Sequence, residues 1–292
     1  MFDLSQSDAV FKGQGEEAYR VYQREKQDEI LERGVAFDFI SGLLSLNDIC
    51  KTGESLVEVI LLSRNDPDTG FRVFRSISHY GLDITRAIFL QGRSALSYIP
   101  ALNISLFLSG NESDVREAVS LNYPAGLVVN KKGDYGSLDH DEIRVAFDFD
   151  GVLASDEAEK KYSESGLEGF KQYEVDNASV PIQAGLLKPL LESLAEIQKA
   201  ELDYCKSNVD YKPRLRISIV TARNAPAHER VILSMRDWGV MVNDAFFLGG
   251  IDKGEIMSVL RPHVFFDDQM DHLKSTAKFS PSVHIPFGIR NK

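Results

Sequence analysis

Segments of this 292-residue chain repeat one another. Residues 87–92 (AIFLQG) match residues 245–250 (AFFLGG) at an offset of 250 − 92 = 158 residues. Repeated sequence indicates a repeated structural unit, and such units commonly need a neighbour to complete their cores. The chain is therefore predicted to fold as two related halves. Two further pairs support the repeat, at offsets of 159 and 151 residues: 63–67 (SRNDP) with 222–226 (ARNAP), and 15–22 (GEEAYRVY) with 166–173 (GLEGFKQY).

Length and composition agree with two halves, since 292 residues of which 43% are hydrophobic can bury two moderate cores or one large one. The segment 130–137 (NKKGDYGS) is polar and contains glycine, as expected of a seam between the halves. The predicted boundaries are accordingly 1–135 for the first half and 142–292 for the second.

The second half contains a closely spaced pair of carboxylates. Asp148 directly follows the apolar run VAF, which is typical of a buried strand in a parallel sheet. Gly151 permits a sharp turn that brings Asp150 back beside the same site, beyond the carboxyl end of the strand. One carboxylate can attack while the other, protonated, donates to a leaving oxygen. Two close carboxylates also favour the binding of Mg²⁺. The alternative to a reactive site is a strand end with two solvated acids.

Three later segments carry groups that suit a phosphoryl site. The apolar run ISIV ends at Thr221, whose hydroxyl and neighbouring backbone N–H groups can hold phosphoryl oxygens. The glycine-rich loop GGIDKG presents Lys253 as a cation. A third strand candidate, HVFF, runs into Asp267 and Asp268. This order of groups, three of them at strand ends, predicts chemistry on a phosphate ester.

With these motifs, the chain resembles phosphohydrolases of the haloacid dehalogenase superfamily, which use an Asp-x-Asp pair, a Thr or Ser, a Lys and a late acidic pair. The resemblance implies an α/β fold with Rossmann-like parallel sheets. It implies that Asp148 is the nucleophile, which forms an aspartyl-phosphate, and that Asp150 is the general acid and base. It further implies a phosphate-binding set and a Mg²⁺-binding set, the latter including the backbone carbonyl of Asp150. The phosphate-binding set is Thr221, Ala222, Arg223 and Lys253. The Mg²⁺-binding set is Asp148, Asp150 and the pair Asp267 and Asp268, and one member of this pair is the direct ligand.

A longer stretch of the chain is similar to the cytosolic 5'-nucleotidase I family. The matching blocks are GEEAYRVYQ, SISHY, VAFD, SDE, TAR and RPHVFFDDQM, which span nearly the whole sequence. The resemblance implies hydrolysis of nucleoside 5'-monophosphates, with AMP and IMP as candidate substrates, in the cytoplasm. A phosphatase or phosphotransferase of the same superfamily that acts on another small phosphate ester is the alternative. The resemblance leaves the oligomeric state open, with a homo-oligomer as one alternative.

Two departures from that family stand out. Family members have Gly, then Asp-Ala, where this chain has Phe149, Asp150 and Gly151; both reactive acids survive, so the departure concerns base preference. Family members also carry an apolar strand before the segment that matches Phe2. Either this strand is absent here or the start is truncated.

The first half lacks the acids of the second. Ser109 and Gly110 stand where the second half has its late acidic pair, and Ser94 falls near the position of the lysine. This half is either a structural partner or a binding site for nucleotide or an effector. In the second case, the candidate residues are Arg64, Asn65 and Arg72.

About seventy residues separate Asp150 from Thr221, which is too many for one crossover helix. Helices are predicted over 157–173 and 186–197, within a helical cap at approximately 154–212 that covers the site. Candidate substrate contacts there are Asp156, in the SDE block, and the aromatic residues Phe170 and Tyr173. Aromatic side chains at helical spacing are also typical of a core, so base stacking is one of two interpretations.

The formal net charge of −11 argues against nucleic-acid polymers and anionic membranes as partners. The start of the chain lacks a signal peptide, and the sequence has no apolar stretch of the roughly 18 residues that span a membrane. Cys50 and Cys205 lack metal-ligand spacing, which fits a reducing cytoplasmic setting.

Overall fold

The computed structural model describes residues 1–51, 53–129, 135 and 141–291. Apart from Tyr135, the predicted seam 130–137 lies outside these residues. The described chain forms two compact units, the first comprising residues 1–103 and the second comprising 104–129, 135 and 141–291. No described helix is both long and apolar enough to cross a membrane.

The first unit packs helices around a small parallel sheet. Ile60 pairs with Arg86, and Ser63 with Phe89, in a parallel register. Leu44, Ile77 and Ile84 form the centre of its core. Its elements are α1 (Ser5–Glu25), α2 (Phe37–Ser45), a 3-10 turn (Leu46–Ile49), β1 (Ile60–Ser63), α3 (Phe71–His79), β2 (Arg86–Phe89) and α4 (Tyr98–Ala101).

The second unit is built on a seven-stranded sheet. Its elements are β3 (Phe107–Ser109), α5 (Glu112–Ser120), β4 (Ala125–Val128), β5 (Ile143–Phe147), α6 (Glu157–Asp176), α7 (Lys188–Cys205), β6 (Leu215–Thr221), α8 (His228–Asp237), β7 (Asp244–Phe247), α9 (Lys253–Leu260), β8 (Val264–Asp267), α10 (Met270–Thr276) and β9 (Ser282–His284), followed by a 3-10 turn (Ile289–Asn291). The strand order is β3-β4-β9-β8-β5-β6-β7, and every neighbouring pair is parallel except β4 and β9.

The predicted strands of the second half are confirmed, and three of them lie side by side as β8, β5 and β6. The rings of Phe147 and Phe266 stack with centroids 5.0 Å apart, and both side chains are fully buried. Burial on both faces explains why these strands are continuously apolar rather than alternating. Because the three strands are parallel, their carboxyl ends meet at one edge of the sheet.

The repeat predicted from the sequence is visible in the helices. α1 and α6 each bend at one residue with non-helical backbone angles, Gly15 (φ 84°) and Gly166 (φ 65°). These glycines are 166 − 15 = 151 residues apart, the offset found in the sequence. Positive φ is readily adopted by glycine only, which explains why both copies carry it at the bend.

The two copies also share individual hydrogen bonds. Arg72 Nε donates to the carbonyl of Glu29 at 2.8 Å, and Arg230 Nε donates to the carbonyl of Val180 at 3.0 Å. The same pair of elements is tied by a serine hydroxyl in each copy, which accepts a backbone N–H. The two serine contacts are Leu31 with Ser76 and Ile182 with Ser234. The repeat therefore preserves the way in which α3 and α8 bind the loops that follow α1 and α6, respectively.

The copies differ in their sheets. In the second copy β5 lies between β6 and β8, whereas the described residues contain no strand at that position in the first copy. In the first copy, β1 pairs with β2, and β3 pairs separately with β4; both pairs are parallel. Residues 104–129, which the sequence assigned to the first half, place β3 and β4 in the sheet of the second unit through the antiparallel contact of β4 with β9.

The two helices predicted between Asp150 and Thr221 are present. α7 begins at Lys188, so Pro189 lies in its first turn, where proline needs no helical hydrogen bond. α7 is fixed to the sheet by Glu201, which accepts from the backbone N–H groups at the start of β6. Within the segment 154–212, α6 is the other helix, and its role as the predicted cap stays a prediction.

Candidate functional site

Asp148 lies directly after the central strand β5 and is 4% exposed. Its N–H donates to the carbonyl of Phe266 on the neighbouring strand at 2.7 Å. One carboxylate oxygen, Oδ1, accepts the N–H of Phe149 at 2.7 Å. The other, Oδ2, lies 2.8 Å from Lys253 Nζ. The sheet thus places a buried carboxylate at the edge where the parallel strands end, as the sequence predicts.

The turn after Asp148 depends on Gly151, which has φ of 71°. A Cβ atom at this residue would lie 2.6 Å from Asp268 Oδ2. Both the positive φ and this close approach require glycine. The turn therefore brings its backbone against the Asp268 side chain, which belongs to the segment after β8.

Lys253 begins α9 and is 3% exposed. Its Nζ lies 2.8 Å from Asp148 Oδ2 and 2.7 Å from Asp267 Oδ2. Burial by itself would lower the pKa of Lys253, but the two carboxylates outweigh it and raise the pKa above its usual value. The side chain is thus held as a cation between the two acids.

The acids around Lys253 have different electrostatic environments. Burial, together with repulsion from Asp267 and Asp150, raises the pKa of Asp148 to about 7, although Lys253 opposes the shift. Asp267 is also buried, which would raise its pKa, but Lys253 and His272 lower it. Asp267 is therefore the better compensated carboxylate.

Asp268 is the least compensated group of the site. Its side chain is 1% exposed, and neither carboxylate oxygen has a hydrogen-bond partner among the described residues. Burial and repulsion from Asp148 and Asp267 raise its pKa to about 10. A buried carboxylate without donors is costly, and a hard divalent cation is the kind of ligand that would compensate it.

A group of three residues near Asp268 could also hold a metal ion. One ligand atom each from Asp148, Asp267 and His272 lie within 4.8 Å of one another. His272 Nδ1 is 3.1 Å from Asp267 Oδ2, however, and Lys253 Nζ occupies the same oxygen. Asp268 is the better candidate for a metal ligand, because neither of its oxygens has a hydrogen-bond donor among the described residues.

Thr221 ends β6 and is 1% exposed. Its hydroxyl oxygen accepts the backbone N–H of Arg223 at 3.2 Å, which fixes the turn after the strand. Ala222, between them, is exposed. The structure thus places Thr221 at the same sheet edge as Asp148, and phosphate binding by these residues stays a prediction.

The guanidinium of Arg223 contacts carboxylates. Nε and Nη2 donate to the two oxygens of Asp150 at 2.7 and 2.8 Å, and Nη1 donates to Glu174 Oε2 at 2.5 Å. Burial would lower the pKa of Arg223, but Asp150 and Glu174 outweigh it and raise it. The side chain of this predicted phosphate ligand thus holds the second aspartate of the motif.

The candidate substrate residues of the predicted cap differ in the groups that they contact. Asp156 accepts the N–H of Ile289 at 3.0 Å and lies 2.7 Å from Lys160 Nζ, so its oxygens have partners in the fold. Phe170 is half-buried, and the Arg223 guanidinium carbon lies 5.7 Å from its ring centroid. Phe170 therefore contacts a member of the site.

Tyr173 lies one helical turn beyond Phe170. The guanidinium carbon of Arg230 is 5.4 Å from its ring centroid, and Lys161 Nζ is 5.8 Å from it. These cations occupy the ring in a way that supports a packing role. Its proposed contact with a base stays a prediction.

The candidates in the first half have local contacts within the first unit. Asn65 Nδ2 donates to the hydroxyl of Tyr19 at 2.8 Å. Arg72 donates to the carbonyl of Glu29, and the carbonyl of Arg64 accepts the N–H of Gly92. These contacts account for the fold of this unit, and a role in ligand binding stays a prediction.

Comparison with known proteins assigns the chain to a protein family. The sequence model of the 5'-nucleotidase family matches residues 1–292. The chain belongs to the 5'-nucleotidase family. A human relative named cytosolic 5'-nucleotidase 1B is 33% identical over 283 residues, which cover 95% of this chain and 46% of the relative. The chain thus spans about half the length of this relative, and no solved structure matches it significantly.

Two residues of this 5'-nucleotidase family member did not emerge from the motifs. Glu174 is 1% exposed and contacts Arg223, while Arg230 is 2% exposed and contacts Glu174. The repeat contains a signal for both: Arg230 aligns with Arg72 at an offset of 158 residues, and Glu174 aligns with Gln23 at an offset of 151. At this position the first copy has Gln and the second has Glu.

Proposed function

We propose that this protein is a Mg²⁺-dependent phosphohydrolase of the haloacid dehalogenase type that hydrolyses nucleoside 5'-monophosphates to nucleoside and phosphate. The substrate class follows the family to which the chain belongs. We extend the cytosolic setting in the relative's name to this chain as part of the proposal. The observation that carries the mechanism is the buried Asp148 carboxylate beside the cation Lys253 and near Asp268, whose carboxylate has no donor among the described residues.

In the first step, a carboxylate oxygen of Asp148 attacks phosphorus. A phosphorus–oxygen bond to Asp148 forms as the bond to the 5'-oxygen of the nucleoside breaks, and protonated Asp150 donates its proton to that oxygen. Lys253, held between two carboxylates, supplies positive charge where the phosphoryl oxygens accumulate negative charge. The step yields a nucleoside and an aspartyl-phosphate.

In the second step, water attacks the phosphorus of the aspartyl-phosphate. Asp150, now ionised, takes a proton from the water as the water oxygen bonds to phosphorus. The bond between phosphorus and the Asp148 oxygen breaks. Inorganic phosphate leaves, and both aspartates return to their starting states. Thr221 and the backbone N–H groups after β6 lie at the sheet edge where they would hold the phosphoryl oxygens.

The residues present fit a divalent cation. When ionised, Asp148, Asp267 and Asp268 carry three negative charges against the single positive charge of Lys253. We assign Asp148, Asp268 and the backbone carbonyl of Asp150 to Mg²⁺, with Asp267 retaining Lys253. When bound, the cation would neutralise these acids and the substrate phosphate and polarise a phosphoryl oxygen.

The test is phosphate release from a panel of nucleoside monophosphates, with Mg²⁺ or with a chelator. We expect the wild type to release phosphate with Mg²⁺, and the Asp148→Asn variant to lose at least about 10³-fold of that activity because the nucleophile is gone. Circular dichroism and thermal unfolding establish that the variant is folded. Turnover at the wild-type rate by folded Asp148→Asn would refute the mechanism.

A further inference from the structure

We propose that Glu174 is a positioning residue for the reaction, which acts on the acid–base residue Asp150 through Arg223. The inference rests on the proposed function, because it assumes that Asp150 transfers the proton. It differs from that function in assigning a role to Glu174 on the cap helix α6, a residue that belongs to none of the catalytic motifs. The contacts that link Glu174 to Asp150 all lie within the second unit.

Glu174 lies on the part of α6 that follows the bend at Gly166. Its side chain is fully buried, and its two oxygens bind different guanidinium groups. Oε2 accepts from Arg223 Nη1 at 2.5 Å, and Oε1 accepts from Arg230 Nη1 at 2.9 Å. A carboxylate can accept on both oxygens, so both arginines are satisfied at once.

Arg223 transmits this arrangement to Asp150. Its rigid planar fork uses Nε and Nη2 on the two oxygens of Asp150, while Nη1 is fixed by Glu174 and by the carbonyl of Ala227. Because all three nitrogens belong to one plane, fixing Nη1 also fixes the direction in which the Asp150 carboxylate points. The Asp150 side chain is 15% exposed, against 3% for Arg223, so the acid is the more exposed partner of this pair.

The network continues behind Glu174. Arg230 also contacts Glu157, at the start of α6, at 2.8 Å, and its Nε is bound by the carbonyl of Val180. Carboxylates and guanidinium groups therefore alternate from Asp150 through Arg223, Glu174 and Arg230 to Glu157. Because each buried charge has an opposite neighbour on either side, the bent helix is held in one position relative to the acid.

The first copy of the repeat provides an internal comparison. Gln23 occupies the position of Glu174, and its Nε2 donates to the hydroxyl of Tyr19 at 3.0 Å. Its buried Oε1 has no partner among the described residues. The first copy keeps the bend in α1 and the contact of Arg72 with the preceding loop. A glutamine at this position is thus compatible with the repeat fold, and the carboxylate accompanies the copy that holds the reactive aspartates.

The test replaces Glu174 by Gln, which keeps the shape but can accept on one oxygen only. The two substrates are AMP, whose leaving group needs a proton, and p-nitrophenyl phosphate, whose leaving group is stable as an anion. Proton donation contributes about 10²–10⁴-fold to a reaction that needs it. With AMP, we expect Glu174→Gln to lower the rate of the first step at least 10-fold, with KM changed less than 3-fold.

With p-nitrophenyl phosphate, the same variant should release the first equivalent of p-nitrophenol within 3-fold of the wild-type rate, measured as a pre-steady-state burst. Asp150→Asn should show the same split between the two substrates, and adding Glu174→Gln to it should cause no further loss. The matched control is Glu168→Gln, on the same helix segment, whose side chain is 86% exposed. We expect the control to act on both substrates within 2-fold of the wild type.

Equal losses on both substrates, or no loss on AMP, would overturn the assignment. A wild type without Mg²⁺-dependent AMP hydrolysis, or an active Asp148→Asn variant, would instead overturn the proposed function, so the two failures are distinguishable. Thermal unfolding reports whether each variant folds. If Glu174→Gln does not fold, Glu174→Asp keeps the charge on a side chain one methylene shorter, and the assignment then requires the same substrate split of at least 10-fold.

Discussion

Asp268 is the residue whose replacement tests the electrostatics of the site most directly. Its carboxylate is buried without a donor among the described residues, and its pKa is raised from 3.8 to about 10. Asp268→Asn removes the ionisable group and keeps the shape. We expect the variant to be more stable than the wild type when metal is absent, and to gain nothing from Mg²⁺.

The size of the effect follows from linkage between protonation and folding. An acid whose pKa is raised on folding destabilises the folded state at every pH above its unfolded pKa, and the penalty grows until pH reaches the folded pKa. At pH 7 the folded form retains a proton that the unfolded form releases. The interval from 3.8 to 7 then corresponds to about 4 kcal/mol at most, at about 1.4 kcal/mol per pH unit. At pH 5 the same reasoning gives about 1.6 kcal/mol, and near pH 4 the penalty disappears.

The assay is unfolding with a chelator at several pH values, followed by titration with Mg²⁺. The wild type should gain about 2.7 kcal/mol at a Mg²⁺ concentration of 100 times Kd, whereas Asp268→Asn should show no such gain. The matched control is Asp271→Asn, whose exposed carboxylate pairs with Lys274 on the surface. An Asp268→Asn protein that is less stable than the wild type in chelator at pH 7, or that gains as much from Mg²⁺, would refute the reasoning.

Two further changes test the supports of the site. Gly151→Ala should abolish Mg²⁺-dependent activity, because its Cβ would lie 2.6 Å from Asp268 Oδ2 at a φ of 71°; phosphate release and a Mg²⁺ titration check this, and wild-type Mg²⁺ binding would contradict it. Glu201→Gln should lower the free energy of unfolding by about 3 kcal/mol, because the buried carboxylate accepts from Tyr211, Arg214 and Leu215. Urea unfolding measures this loss, kcat should stay within 2-fold, and unchanged stability would be the contrary result.

Much of the fold was predictable because its signals are local. The apolar runs that lead to Asp148, Thr221 and Asp267 are strands in the structure, and they end at one edge of the sheet. Their position follows from burial on both faces and from parallel pairing, both of which leave a pattern in the sequence. The two helices between Asp150 and Thr221 were predictable for the same reason.

The unit boundary depended on pairing between distant segments. Sequence similarity aligned Ser109 and Gly110 with Asp267 and Asp268 as repeats, and the predicted boundary assigned residues 104–129 to the first half. The structure joins them to the second unit because β4 pairs with β9 in an antiparallel register. An edge pairing of three or four residues leaves no periodic signal that distinguishes one partner strand from another.

Side-chain direction was the other feature that the motifs did not contain. Arg223 follows Thr221 so closely that it reads as a phosphate ligand, yet its fork meets Asp150 and Glu174. Glu174 is 49 residues away along the chain, on the part of α6 that follows the bend at Gly166. The comparison of Gln23 with Glu174 in the repeat was the available signal.

By itself, the sequence determined the repeat, the family, the strands that end in reactive groups and the identity of the candidate acids, because residue type, spacing and hydrophobic pattern express these properties directly. The tertiary structure decided which charges meet. It placed Lys253 between Asp148 and Asp267 and set Arg223 between Asp150 and Glu174. It also left the Asp268 carboxylate without a donor in the part of the chain that the structure describes. The physical reason is that the electrostatic state of a buried group depends on neighbours within a few ångströms, and those neighbours come from distant parts of the chain.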